Sequence, residues 1–218
     1  MRQPSKTSLF AAAKRWDAAS VTAMLAEVPE LASASDPKGR TALHLACGVT
    51  PGSAQLAEPH GLDTVAALLA AGCDLEREVP MDEDEGDFRA TPLWYAVARG
   101  ENLPLATFLV ARGANASYSL WAAVWRDDEA MCRVLLRAEP ELNLRAHGET
   151  PIFYAARLQR LKTLALLIDA GADASIADFK GRDALDIARA RRLPTPLISR
   201  LQALVDSATP TSTDRSAS

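Results

Sequence analysis

The side chains able to do chemistry are few, and their spacing is poor for catalysis. Histidine occurs three times, as His44, His60 and His147, and cysteine three times, as Cys47, Cys73 and Cys132. No two histidines form a His-x-x-x-His pair, and none adjoins a cysteine at the spacing a zinc site requires. Three cysteines far apart make neither a disulfide framework nor a thiolate cluster, so they are expected as buried, reduced thiols. There is no Gly-x-Ser-x-Gly elbow and no phosphate-cradling glycine loop. Carboxylates do concentrate: Glu76, Glu78, Asp82, Glu83, Asp84, Glu85 and Asp87 fall in one short stretch. The run reads in two ways. It is a finger that steers and orients a basic partner, or a solvated loop whose charge aids solubility. A calcium loop would also need a closing Glu at a fixed position, and none stands there. The expectation is a chain with no catalytic residue, no metal and no cofactor.

The elements that carry these residues repeat. Gly39-Arg-Thr-Ala-Leu-His-Leu-Ala46 aligns with Gly148-Glu-Thr-Pro-Ile-Phe-Tyr-Ala155 and with Gly181-Arg-Asp-Ala-Leu-Asp-Ile-Ala188. Arg89-Ala-Thr-Pro-Leu-Trp-Tyr-Ala96 matches with only the glycine lost. A step of 33 residues separates Gly148 from Gly181, and Ser8 from Thr41. A second landmark follows aliphatic runs at 65–70, 106–111 and 164–169: Ala71-Gly-Cys-Asp74, Arg112-Gly-Ala-Asn115 and Ala170-Gly-Ala-Asp173. Threonine before the first apolar residue predicts a helix cap. Pro92 and Pro151 then occupy the first helical position, where a missing N–H costs nothing. The later glycine suits a left-handed helix terminus.

The period, the Thr-Pro-Leu-His-x-Ala-type opening and the Gly-Ala-Asp-type ending resemble the ankyrin repeat over about residues 7–205. The resemblance implies an all-α solenoid of helix-turn-helix units with short β-hairpin fingers. Six units are placed at about 7–36, 37–76, 87–116, 117–145, 146–178 and 179–205, within a repeat domain of residues 1–205. The acidic insertion occupies 77–89, and 206–218 is expected to be a disordered polar tail. Each pair buries its apolar flank only against a neighbour, so the end units must be polar outside. Richness in Ala, Arg and Leu with few lysines fits a GC-rich bacterial source.

Departures from the period individualise the chain. Thr41 to Thr91 spans 50 residues, 17 more than one period. About ten of these fall near 48–61, between two helices, and seven in the hairpin that carries the acidic run. Conversely, Gly113 to Tyr118 is only five residues, which removes most of one hairpin and predicts a notch beside Trp94, Tyr118, Trp121 and Trp125. The family's histidine position is His44 once and otherwise Trp94, Trp121, Phe153 and Asp186. The aromatics there read as packing along the stack, or as a groove for a peptide.

In ankyrin-like proteins the end of the first helix and the hairpin tips contact partners. By that resemblance the partner-binding residues are Arg99, Trp125, Arg126, Arg157 and Leu158 on the helix ends, with Lys38, Arg40, Phe88, His147, Glu149, Phe179, Lys180 and Arg182 on the tips. Asp82, Glu83, Asp84 and Glu85 join them as the acidic finger. Trp and Arg are the types enriched at interface hot spots. Phe88 and Phe179 read equally well as packing against the next finger.

A net charge of −4 argues against nucleic acid as the partner. No apolar run approaches the ~18–20 residues of a membrane span. The short run after Leu9 is broken at once by Lys14-Arg15, so it belongs to the fold and not to a signal peptide. The expected function is protein–protein interaction, as an adaptor or inhibitor, by a cytoplasmic monomer whose protein partner presents a basic surface. An enzyme with an unrecognised site on the scaffold, or a passive self-associating protein, stays open on sequence alone.

Overall fold

The computed structural model describes residues 3–53, 56–80 and 89–208. Among them lie twelve α-helices and one two-residue antiparallel ladder. The chain divides into two compact units: residues 1–123 with 130–140, and residues 124–129 with 141–218.

The first unit opens with α1 (Lys6–Lys14) and α2 (Ala18–Glu27), followed by a 3₁₀ turn at Pro29–Ser33. Next come α3 (Ala42–Cys47) and α4 (Leu62–Ala70), the strands β1 (Val79–Pro80) and β2 (Arg89–Ala90), then α5 (Pro92–Ala98) and α6 (Leu103–Val110). It also holds most of α7 (Ser117–Arg126) and α8 (Glu129–Leu136). The packing is translational: α1 lies on α3 and α3 on α5, while α2 lies on α4. Leu9, Ala12 and Ala13 of α1 are buried, so the N-terminal apolar run is a packed helix. The second unit repeats the plan with α9 (Pro151–Arg157), α10 (Leu161–Asp169), α11 (Ala184–Ala190) and α12 (Thr195–Ala208). There α9 packs on α10 and α11, and α12 on α10 and α11. Helix α12 runs past residue 205 to Ala208, and Gln202 Nε2 donates to Asp206 Oδ1 (2.7 Å) along its exposed side.

Local chemistry explains the helix starts. Thr91 Oγ1 accepts the Trp94 N–H at 3.3 Å and Thr150 Oγ1 the Phe153 N–H at 3.4 Å, with Pro92 and Pro151 as the first helical residues. Asp183 does the same for Asp186 N–H at 2.7 Å. Between the two helices of a pair the chain turns at a residue in the left-handed region: Trp16, Glu101, Gln159 and Arg192, with φ from 49° to 56°. The strain is held by the following N–H, which donates back into the preceding helix: Asp17 to Ala12, Asn102 to Ala96, Arg160 to Ala155 and Leu193 to Ala188. The second helices end on Gly72, Gly113 and Gly171, all with positive φ.

The segment between α3 and α4 is stitched to both sides. Ala57 N donates to Arg15 O (3.2 Å) and Asn102 Nδ2 to His60 O (3.0 Å), while Trp16 Nε1 holds the end of α3 itself through Ala46 O (2.8 Å). Glu58 accepts the Asp63 and Thr64 N–H groups, both at 2.8 Å, and so caps α4, whose own N-cap residue is Gly61 and has no side chain to do it. At Gly61 (φ +71°) a Cβ would sit 2.4 Å from the Trp16 ring, so only glycine lets this loop close on the indole.

Candidate functional site

The hairpin tips are built by one device used twice. In Asp36-Pro-Lys-Gly-Arg40, Asp36 Oδ1 accepts the Lys38 and Arg40 N–H groups, each at 2.9 Å, and Oδ2 accepts Arg40 Nε at 2.8 Å. In Asp178-Phe-Lys-Gly-Arg182, Asp178 accepts the Lys180 and Arg182 N–H groups at 2.9 Å, and the Arg182 guanidinium at 2.7 Å. Burial pushes both carboxyls upward, but the arginine fork and the two N–H donors outweigh it and hold both below the ordinary 3.8. Arg40 and Arg182 are therefore bound first to their own turns. Asp36 and Asp178 were not marked from the sequence, although the shared Asp-x-Lys-Gly-Arg pattern was there to be read.

In the first unit a cleft of about 460 Å³ opens beside the first tip. Lys14 at the end of α1, Lys38 and Arg40 on the tip and Arg99 at the end of α5 line it, over Trp94, Tyr95, Leu45, Val49 and Pro80. Arg99 stands 5.8 Å from the Trp94 ring centre. Tyr95 packs edge-on to both His44 and Trp94, each at 5.3 Å, and burial raises its hydroxyl pKa. Lys14 and Tyr95 were missed because nothing in a single repeat marks them; packing of α1, α3 and α5 brings them to Lys38 and Arg99.

His44 forms part of this wall but is spent structurally. Its Nδ1 accepts the Thr41 N–H at 3.1 Å and its Nε2–H donates to Arg77 O at 2.9 Å. Burial pushes its pKa down to about 4, so it stays neutral as a bridge between α3 and the β1 side of the hairpin. Where the pattern has aromatics, the rings are buried: Trp94 and Trp121 are 7% exposed and Phe153 is fully covered. These rings pack, and the alternative of an open aromatic groove at those positions is not what the structure has. The cysteines are free and buried; burial pushes Cys73 up to about 11 and raises Cys47 further.

The second unit presents another surface. Trp125 is 56% exposed and stacks on Tyr154, with 6.3 Å between ring centres and 24° between planes. The Arg157 guanidinium lies 5.0 Å from the Tyr154 ring centre and is paired with Glu149 at 2.8 Å. Phe179 is 78% exposed on its tip, with Lys180 Nζ 5.8 Å from the ring centre. One edge of Phe179 lies against the turn at Gly148, so it touches the adjacent finger and still shows most of its ring to solvent. Arg145 ties the two fingers together, donating to Gly148 O (3.2 Å) and Ala177 O (2.8 Å). His147 is exposed in that turn at φ 53°, Arg126 is exposed at the end of α7, and Leu158 is half-buried as the C-cap of α9. Asp82, Glu83, Asp84, Glu85 and Phe88 lie outside the described residues. Between α6 and α7 the connection is only 111–116, with Ala114 and Ala116 buried and Asn115 N–H donating to Glu76 at 3.0 Å.

A family model described as ankyrin repeats (three copies) matches residues 53–178. Among solved structures, an ankyrin repeat domain from Acinetobacter baumannii is 23% identical with a TM-score of 0.71, covering 92% of this chain and 98% of that one. The ankyrin repeat domain of Bcl-3, of the IkappaB protein family, is 21% identical with a TM-score of 0.60, covering 89% and 97%. A chain from the complex of a predatory endopeptidase of Bdellovibrio bacteriovorus with an immunity protein is 25% identical with a TM-score of 0.64, covering 90% and 97%.

Proposed function

The chain belongs to the ankyrin-repeat family, a protein–protein interaction scaffold, and on that premise we propose that it is an adaptor or inhibitor that holds one protein partner along its first-helix ends and hairpin tips. The observation that carries this reading is the Trp125–Tyr154–Arg157 group with Phe179 nearby in sequence order on the next tip. Large rings exposed by 56% and 78% contribute little to folding. Their types are those that anchor interfaces. A chain of similar fold comes from a complex of an endopeptidase with an immunity protein, which supports reading this fold as a partner-holding one. The chain itself catalyses nothing in this proposal; its most buried histidine has both ring nitrogens engaged with backbone groups, and burial pushes its pKa down to about 4. It acts as a cytoplasmic monomer without nucleic acid, membrane or cofactor. The run Asp82–Glu85 enters on its charge alone, as a contact for basic residues of that partner.

The test is retention of a stoichiometric partner from the native organism, followed by titration with the purified pair. Trp125→Ala and Phe179→Ala should each weaken binding by about 2 kcal/mol, ~30-fold, with melting temperature unchanged. Absence of a stoichiometric partner, or full affinity in both variants, refutes the reading.

A further inference from the structure

We propose that the cleft of the first unit receives a carboxylate-rich segment of the partner protein. This rests on the interaction reading above and gives one of its contacts a chemistry. Among the described residues four cationic side chains line the cleft, Lys14, Lys38, Arg40 and Arg99, and no acidic one does. Arg40 is already paired with Asp36 at 2.7 Å. Among the described residues Lys14, Lys38 and Arg99 have no ion pair, and all three are exposed. They come from three separate elements, the end of α1, the first hairpin tip and the end of α5. A chain with net charge −4 thus carries a local concentration of positive charge. In unfolded sequence these groups are far apart; the stack of α1, α3 and α5 assembles them.

The walls fix the occupant further. Leu45, Val49 and Pro80 are apolar, so the cleft suits carboxylates alternating with aliphatic side chains. Partly enclosed positive charge attracts anions over about a Debye length and then pairs with them at low dielectric cost. A volume near 460 Å³ accepts a few side chains, which fits a peptide segment. A nucleic acid strand would extend past the cleft onto a chain of its own sign. Its aromatic stacking platform would also be lacking, because Trp94 is 7% exposed.

The probe is a fluorescein-labelled peptide of repeating Glu-Glu-Leu, read by anisotropy against the full chain. A Gln-Gln-Leu peptide and an oligothymidylate of equal charge are the comparisons. The Glu peptide should bind, weaken as salt rises, and lose at least tenfold in affinity in the Lys14→Glu, Lys38→Glu, Arg99→Glu triple variant; the Gln peptide should not bind. Should the triple variant lose its helical circular dichroism, Lys38→Gln on the exposed tip replaces it, with at least a threefold loss expected. No binding of the Glu peptide, equal binding of the Gln peptide, equal or tighter binding of the oligothymidylate, or undiminished affinity in the variant overturns the inference. A stoichiometric natural partner that ignores the triple charge reversal would leave the interaction reading intact and sink this one. Binding of the Glu peptide with no natural partner retained would do the reverse.

Discussion

His44 shows how a residue type associated with chemistry is put to structural use. Both ring nitrogens are engaged with backbone groups, Nδ1 with Thr41 N–H and Nε2 with Arg77 O, and the ring is fully covered. Its pKa falls to about 4 from the ordinary 6.5. The unfolded chain therefore takes up this proton near 6.5 and the folded chain only near 4, so protonation in between favours unfolding. The contribution is complete above pH 6.5 and is lost progressively as pH falls toward 4. At about 1.4 kcal/mol per unit it amounts to roughly 3 kcal/mol. Denaturant titrations from pH 4 to 7 should show stability rising with pH, with a shallower rise in His44→Gln; equal slopes in the two proteins contradict this account. Asp36 and Asp178 work in the same spirit, spending carboxylates and arginines on holding the tips that carry Lys38 and Lys180.

At the scale of elements, the helix starts were legible because capping is local. Thr91, Thr150 and Asp183 mark their helices through a bond three residues away, and a short motif contains both partners. Insertions and the shortened link before α7 followed from counting residues. What the motif did not contain was substitution of one cap by another. Glu58 caps α4 from a loop, whereas Asp17 and Asn102 cap α2 and α6 from the N-cap position itself, and Arg40 and Arg182 turn inward to aspartates not marked beforehand. The register of α10 makes a direct prediction. Leu166 is buried on that helix, so Leu166→Ala should cost about 2–5 kcal/mol in chemical denaturation. A loss near zero would mean that another face of the helix packs inward.

On the scale of the whole molecule, the repeat was readable and the surfaces proposed for binding were only partly so. Trp125, Arg157 and Phe179 were marked by position within a repeat. The assembly of Lys14, Lys38 and Arg99 was not, since these residues meet only when α1, α3 and α5 stack in their unit. In the proposed reading the tasks divide: the bodies of both helices of a pair pack on their neighbours, and first-helix ends and tips are left to meet a partner. Hydrogen exchange of the full chain with and without its stoichiometric partner tests that division most directly. The account predicts slowed exchange in 36–49, 92–99, 124–126, 145–158 and 178–183, with α2, α4, α6 and α10 unchanged. Protection concentrated on those second helices, or a stable complex that slows none of the first-helix ends and tips, would contradict it.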